Sequence, residues 1–577
     1  MSRCLIQLIR RFRIPALFCS LAVLICELIS HPYAAMGICD DGPYIVMTRT
    51  LATTGHLIYN GWATPILGWQ LFLGAALIKL FGFSYTAVRM STLLVAMALA
   101  FVLQRTLVRT SITERNATIG TLALVLSPLY LMLSVTFMTD IDGLFAIVLC
   151  LYGCLRALQA SSSRAMIGWL CFAVATNAIC GTSRQIAWLG ILVIVPSTLW
   201  LLRAHRRVFI AGAAATLAGA AFLFSCMYWF SQQPYIQPEH LLVHTLPIAH
   251  TLSEFIHTFL DVPFLLLPIA AIFIPQIRKS RPRAIAIISA FSAGYILLAI
   301  HWRHSHPDFL LEPTQRNWLN VYGLFDALNM KGDPPIFLHP PAQILLTILS
   351  IGGLIGLIAA WLRTRRTPPP ADSSPISRKQ LAFLLAPFTV TYILLLIPRA
   401  ATDGLVDRYM LELMVVALLC LVRYYQDRIH PQLPSAVILL VAVMAVYGIA
   451  VTHNMFALYR ARLTMGAELR SAGIPETSVD QGWERNFDVE LQHADYINDW
   501  RVVRPVHAYV PTPPLPEGTC PMAEFDNTPH VRPLYGVSFD PNACYGPAPF
   551  APVHYSRWLA STPGTLYVVH YIPQSKH

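Results

Sequence analysis

Long apolar stretches separated by short basic segments recur along most of this chain. Of its 577 residues, 55% are hydrophobic and only 12% are charged, which is about half the charged fraction of a soluble domain. A helix needs roughly 20 apolar residues to cross a hydrocarbon core about 30 Å thick. About thirteen stretches meet that length, so the sequence predicts an all-α polytopic membrane protein. The predicted spans lie near residues 14–32, 66–81 or 84–104, 117–137, 141–158, 165–183, 186–202, 209–230, 256–275, 284–300, 343–362, 380–397, 409–425 and 435–452.

The Lys and Arg residues fall mainly in every second loop, beginning with Arg10, Arg11 and Arg13 before the first stretch. Basic loops stay in the cytoplasm, so the N-terminus is predicted to be cytoplasmic and the C-terminus exported. The net charge of +11 is therefore explained by membrane topology and gives no indication of a nucleic-acid partner. We expect a multi-pass protein of a plasma membrane, of the bacterial inner-membrane type, with a periplasmic or extracytoplasmic C-terminal part.

The apolar stretches stop near residue 453. The sequence predicts a transmembrane domain over residues 1–452, with an outer loop over 33–65, and a small α/β outer domain over 453–577. In the latter, helical spacing over 455–473 ends at Gly473-Ile474-Pro475, and residues 566–571 have the pattern of a strand. Cys520 and Cys544 lie in this segment, where an oxidising compartment would allow them to pair.

Two acidic clusters lie at the ends of predicted spans, and loop alternation places both on the outer face. Asp40 and Asp41 follow the first span, and Asp140 and Asp142 lie between the third and fourth. Charged groups at membrane depth are costly and rarely idle. A carboxylate in an outer cavity can act as general base towards an acceptor hydroxyl, or orient it. The alternative is a set of solvated or capping aspartates, which we favour for Asp142 but not for Asp40.

Three arginines, Arg89, Arg184 and Arg408, are predicted at the same outer face. A planar guanidinium binds phosphate bidentately, so these residues are candidates for holding an anionic lipid phosphate. The alternative is an ion pair within the protein, such as that of Arg408 with Asp407 or Asp403. For Arg184 the ion pair is the favoured interpretation.

A metal site is conceivable at His301-Trp-Arg-His304-Ser-His306, where three imidazoles lie close together. No acidic or cysteine ligand accompanies them at a recognised spacing. We therefore expect no cofactor and keep a divalent metal as the alternative. The sequence also has no phosphate-cradling glycine loop of the kind that nucleotide-driven chemistry requires.

Four short motifs follow one another in a familiar order. The first outer loop opens Asp-acid-x-x-Tyr at residues 40–44, and Leu-Phe-Gly-x-Ser-x-x-x-Val-Arg ends at Arg89. Phe-Met-Thr-Asp then ends at Asp140, and Asp-Arg-Tyr occupies residues 407–409. Over roughly residues 1–452, this order resembles the GT-C membrane glycosyltransferases, in the protein-mannosyltransferase and aminoarabinose-transferase-like branch.

The resemblance implies a polyprenyl- or dolichyl-phosphate-linked sugar donor and an inverting transfer in an outer cavity. It implies that Asp40 is the catalytic base or acceptor-orienting group and that Asp140 assists the acceptor. The acceptor would be a glycan, a lipid or a protein. Trp62-Ala63-Thr64-Pro65 lacks the basic residue that the aminoarabinose branch sets before a proline, which shifts the phosphate role towards the arginines. The candidate substrate-binding residues are Asp41, Tyr44, Arg89, Asp142, Arg408 and Tyr409.

Two other functions compete with the enzyme. A secondary transporter or lipid flippase would perform no covalent chemistry, and it would carry broken helices and ionisable groups near the bilayer midplane. A membrane scaffold would use the outer domain to bind partners. Because the acidic residues lie at span ends on one face, the sequence favours interfacial catalysis.

Overall fold

The computed structural model describes residues 3–62, 67–238, 246–279, 311–313, 318–324, 329–365, 375–402 and 404–573, with a few residues between 290 and 297. Most of it is helical. The helices are α1 Arg3–Ser30, α2 Asp41–Thr54, α3 Trp69–Phe81, α4 Tyr85–Arg109, α5 Glu114–Val125, α6 Pro128–Ser134, α7 Asp140–Leu158, α8 Ser163–Cys180, α9 Val195–Leu201, α10 Arg206–Ser231, α11 Ile248–Leu265, α12 Leu267–Ala270, α13 Pro340–Thr364, α14 Arg378–Thr402, α15 Leu411–Arg428, α16 Ala436–Ser471 and α17 Trp483–Ala494.

Eight helical segments of the described residues are long and apolar enough to cross a membrane, or up to ten if each of two bent pairs counts as one span. The chain is thus a mostly helical, multi-pass membrane protein, as predicted. The predicted number of about thirteen spans stays a prediction, because the stretch at 284–300 lies largely outside the described residues. The stretches 66–81 and 84–104, weighed above as one span, form two separate helices, α3 and α4.

Local sequence signals set the ends and bends of these helices. The side-chain hydroxyls of Ser84, Thr113 and Ser162 each accept a backbone N–H of the first turn that follows, which satisfies a donor that the helix itself cannot. Between α5 and α6 the chain bends by 69° just before Pro128, which has no backbone N–H to continue the helical bonding.

The helix α16 has 36 residues and is therefore about 54 Å long. It continues the last apolar stretch past residue 452 into the C-terminal segment, so the predicted domain boundary at 452/453 stays a prediction. The helix ends at Ser471, two residues before Gly473. Gly473 has a φ of +80°, which glycine adopts without strain.

A two-stranded sheet of β1 Leu319–Asn320 and β2 Gly323–Leu324 precedes α13, whereas a four-stranded sheet and a disulfide follow α16. The strands of the second sheet are β3 Val479–Asp480, β4 Tyr535–Ser538, β5 Val553–Tyr555 and β6 Gly564–His570. The C-terminal sheet has the order β3-β4-β6-β5, with β3 and β4 parallel and the other pairs antiparallel. The predicted strand at 566–571 is β6 in this sheet. Cys520 and Cys544 form the disulfide that the sequence left open, with a Cα–Cα distance of 5.7 Å.

The C-terminal segment packs on the first outer loop and fixes its shape. The N–H of Ile497 donates to the carbonyl of Asn60 at 2.8 Å, and Gln237 donates to the carbonyl of Gly61 at 2.9 Å. Gly61 has φ +86°, and a Cβ there would lie 2.3 Å from the carbonyl oxygen of Ile497. Only glycine allows this approach, and it sets the position of Trp62, the next residue.

Candidate active site

Asp40 lies immediately before α2, and its carboxylate faces a cavity. Its side chain makes no capping bond to the helix. Instead, Oδ1 accepts a hydrogen bond from the indole Nε1 of Trp62 at 3.0 Å, and Oδ2 lies 3.5 Å from Nη2 of Arg408. The side chain is 20% exposed, so this carboxylate is oriented by its neighbours while it remains accessible.

Asp41, the next residue, has the opposite environment. Its fully buried carboxylate is held by Nε of Arg89 at 2.7 Å and by Nη2 at 3.0 Å. It also accepts the backbone N–H groups of Ile38 at 2.7 Å and of Phe137 at 3.1 Å. Arg89 also donates to two backbone carbonyls of the outer-loop segment that precedes Asp40, those of Ala34 and Met36. This geometry favours a structural role for the Asp41–Arg89 pair, which ties the outer loop to the chain before α7.

Arg408 brings the two predicted acidic clusters together. Its Nη2 faces Asp40, and its Nη1 lies 3.8 Å from Oδ2 of Asp140. The guanidinium also stacks over the ring of Trp318, with 5.1 Å to the ring centroid. A single guanidinium therefore links carboxylates that are 100 residues apart in sequence.

The sequence offered ion pairs of Arg408 with Asp407 or Asp403, and among the described residues its guanidinium instead contacts Asp40 and Asp140. The carboxylate of Asp407 accepts backbone N–H groups, from Arg408 at 2.7 Å and from Trp318 and Leu319 at 3.1 Å each. These bonds hold the loop that carries Arg408. Asp403 lies outside the described residues.

A second arginine, Arg184, also contacts Asp140. It donates to Oδ1 of Asp140, and its Nε lies 3.9 Å from Oε1 of Glu412. Glu412 in turn accepts the hydroxyl of Tyr392 at 2.7 Å. The sequence favoured an ion pair for Arg184, and the geometry agrees. Glu412 and Tyr392 were missed, although an acidic residue one turn beyond Asp-Arg-Tyr in an apolar helix was a usable signal.

The ring of Tyr409 lies among three guanidinium groups. The centroid distances are 5.4 Å for Arg184 and 5.5 Å for both Arg399 and Arg408, which is within the range of cation–π attraction. The ring therefore lies between Arg408, which faces Asp40, and two further arginines. Tyr44 and Asp142 are both buried, and the described residues that line the cavity include neither of them.

The cavity at Asp40 has a volume of about 310 Å³. Its wall combines indole rings, carboxylates and one guanidinium, a composition suited to a polar ligand with an anionic end. Sequence reasoning identified Asp40 and Arg408 but none of the tryptophans or Glu524, which come from distant loops. The described lining residues are Cys39, Asp40, Trp62, Trp318, Asn329, Val406, Arg408, Trp483 and Glu524.

No cluster of three or more potential ligands for a metal ion occurs among the described residues. The histidine run at 301–306 lies outside them.

No family model matches the chain, and no curated protein sequence matches it. Solved structures do. The S. cerevisiae protein O-mannosyltransferase Pmt1-Pmt2 complex bound to the sugar donor matches with 14% identity and a TM-score of 0.32. That match covers 38% of this chain and 34% of the mannosyltransferase chain, so this chain spans about a third of the length of the mannosyltransferase chain.

Two further structures match over more of the chain. ArnT from Cupriavidus metallidurans bound to undecaprenyl phosphate has 14% identity and a TM-score of 0.39, covering 80% of this chain and 82% of that one. The Archaeoglobus fulgidus oligosaccharyltransferase in complex with Zn and sulfate has 15% identity and a TM-score of 0.42, covering 90% and 67%. The resemblance to GT-C glycosyltransferases drawn from the motifs is found again among these structures. At these scores it carries no argument about activity, which rests on the site itself.

Proposed function

We propose that this chain is a membrane glycosyltransferase that moves a sugar from a polyprenyl-phosphate donor to an acceptor hydroxyl, with inversion, on the non-cytoplasmic side of the membrane. The observation that carries the proposal is the pairing of an accessible carboxylate, Asp40, with the guanidinium of Arg408 in one cavity. A transfer between a hydroxyl nucleophile and a phosphate leaving group needs both groups together.

In the proposed reaction, Asp40, Arg408 and Trp62 each have one role. The acceptor oxygen attacks the anomeric carbon while its proton passes to the carboxylate of Asp40. The bond from the anomeric carbon to the phosphate oxygen breaks, and its electron pair leaves with the polyprenyl phosphate. Arg408 neutralises the charge that develops on that phosphate. The indole N–H of Trp62 keeps the carboxylate oriented towards the acceptor.

The shared contacts of Arg408 suggest how the donor prepares the site. A phosphate that binds the guanidinium competes with Asp40, whose contact at 3.5 Å is long for a charge-assisted bond. Asp40 is then released to act as base. Asp140 keeps its partner Arg184, and the proposal assigns it to orienting the acceptor.

We propose that residues 1–452 form the transferase domain with about thirteen spans, and that residues 453–577 form an exported domain that covers the cavity. The contacts of the C-terminal segment with the first outer loop support this arrangement.

A transfer assay tests the proposal against the transporter alternative. Purified full-length protein in nanodiscs is given a panel of polyprenyl-phosphate sugars with lipid, glycan and peptide acceptors. The proposal expects one donor to yield free polyprenyl phosphate in step with a glycosylated product. A donor that is bound or moved across the bilayer and never cleaved, throughout the panel, would contradict it and favour a flippase.

A further inference from the structure

We infer that the acceptor is itself a carbohydrate, and that the C-terminal segment binds it through Trp483 and Glu524, together with Trp62 and Asp40. This inference rests on the proposed function. It assigns the acceptor class and a set of binding residues that neither the sequence motifs nor the transfer step requires.

The aromatic part of the cavity forms a rigid surface. The rings of Trp62 and Trp483 lie 5.7 Å apart at a tilt of 44°. Phe487 supports both rings edge-on, at 4.6 Å from Trp62 and 4.9 Å from Trp483. Trp483 is only 6% exposed, so the two indoles present a narrow but fixed apolar edge to the cavity at little entropic cost, and the C–H groups of a pyranose ring can pack against such an edge.

The polar part of the cavity supplies hydrogen-bond acceptors for hydroxyl groups. Glu524, Asp40 and the amide of Asn329 line the same space as the indoles. Carboxylates accept from several hydroxyls at once, and a sugar ring presents hydroxyls around its edge. Asn527 donates to Oε2 of Glu524 at 2.8 Å, so the carboxylate is held in place as Asp40 is held by Trp62.

Strained backbone conformations occur at Glu524 and directly before Asp40. Glu524 itself has φ +53°, and Cys39, directly before Asp40, has φ +52°. Non-glycine residues rarely adopt this conformation, and where they do they concentrate at binding and catalytic sites. Each carboxylate is thus placed in the cavity by a backbone conformation that costs free energy.

The environment of Glu524 also suits hydroxyl recognition. Partial burial raises the pKa of its carboxyl, and the negative charges of Asp499 and Asp40 add to this while Arg501 opposes it. The same burial and negative charge disfavour an anionic ligand beside this carboxyl, whereas sugar hydroxyls can donate to it. The cavity is therefore asymmetric, with the cationic end at Arg408 for the donor phosphate and the acidic, aromatic end for the acceptor sugar. An acyl chain or an acidic acceptor would not match that end.

Binding is measured without donor, on the full-length protein in nanodiscs. The probes are short glucose-, mannose- and galactose-based oligosaccharides, compared with Ser/Thr peptides and phospholipid vesicles. We expect one oligosaccharide class to bind, and we expect Trp483→Ala and Glu524→Gln each to weaken that binding roughly tenfold. The matched controls are Trp500→Ala, whose indole is 70% exposed outside the cavity lining, and Glu517→Gln, an exposed residue of the same segment.

The outcomes separate this inference from the proposed function. Binding of a peptide or of vesicles with no oligosaccharide binding would overturn the inference, as would variants that behave like their controls. Both results leave donor cleavage untouched, because Arg408 and Asp40 are intact in these variants. Conversely, oligosaccharide binding that is lost in Trp483→Ala, with no cleavage of any donor by the wild type, would support the sugar site and refute the transfer.

Discussion

A single guanidinium, that of Arg408, contacts both acidic clusters at this site. It meets Asp40 at 3.5 Å and Asp140 at 3.8 Å, and Trp318 covers its face. The planar fork of arginine can hold two carboxylates, or one carboxylate and one phosphate, at fixed angles. An ammonium cannot, so the shape of this group matters as much as its charge.

Arg408→Lys therefore tests whether the planar guanidinium is required in addition to its positive charge. We expect the affinity for the polyprenyl-phosphate donor to fall by about 1–3 kcal/mol, because a charge-assisted bidentate contact is lost while the positive charge remains. The measurement is the donor Kd in nanodiscs. The control is Arg470→Lys, whose side chain is 51% exposed in an ion pair with Glu476 and is absent from the described cavity lining. An unchanged Kd for Arg408→Lys would remove the phosphate role.

Gly61 is a second residue with a specific structural requirement. Gly61→Ala would place a methyl group 2.3 Å from the carbonyl oxygen of Ile497, and this should displace Trp62 and reduce transfer. Gly546→Ala is the matched control, because Gly546 has a similar φ of +85° with no atom within 4 Å of the added Cβ. The control should cost only the strain of about 1–2 kcal/mol in thermal stability. Equal transfer rates for both variants would show that the contact does not position Trp62.

The helix α17 carries Trp483 and is fixed by buried charges. Arg462 of α16 donates to Glu484 at 2.8 Å, and both side chains are at most 2% exposed. On its other side, Asp488 accepts the hydroxyl of Tyr85 at 3.4 Å and packs against the chain before α2. The position of Trp483 thus depends on the ion pair between α16 and Glu484 and on the contacts of Asp488.

Asp488 makes this docking sensitive to pH. Burial raises its pKa from 3.8 to about 6, opposed by Arg485. Between these values the folded protein binds more protons than the unfolded chain, so the stability linked to this group is full below 3.8 and is lost as pH rises through about 6. We expect the thermal stability of Asp488→Asn to depend less on pH between 5 and 7 than that of the wild type, on the order of 1–3 kcal/mol less. Parallel pH profiles for the two proteins would contradict the assignment.

The elements were more predictable than the site that they build. Apolar length alone indicated most of the helices, and residue pattern indicated β6 and the end of α16. The sequence also selected Asp40, Asp140 and Arg408, because charged residues at the ends of apolar stretches are rare. It assigned Asp41 and Arg89 to substrate binding, since only the fold shows that these two side chains are buried against each other. Glu524 and Trp483 lie in a C-terminal segment whose route over the cavity depends on contacts such as that of Ile497 with Asn60.

For the whole molecule, the proposal requires one topology. The alternation of basic loops predicts a cytoplasmic N-terminus and an exported C-terminal domain. Reporter fusions after residue 370 and at the C-terminus should then report opposite compartments, cytoplasmic and exported. A cytoplasmic signal from both would move the cavity to the wrong side of the membrane for an exported acceptor.

The central claim is that Asp40 is the base of a transfer whose donor phosphate is held by Arg408. Its most direct test is single-turnover transfer and donor affinity for Asp40→Asn, with Asp495→Asn as the control. Asp495 is exposed with φ +64°, a conformation that asparagine tolerates. We predict a loss of about 10²–10⁴-fold in transfer for Asp40→Asn, with donor affinity kept or increased because Arg408 loses a competing carboxylate. An Asp40→Asn protein that transfers the sugar at a near-normal rate would contradict this account.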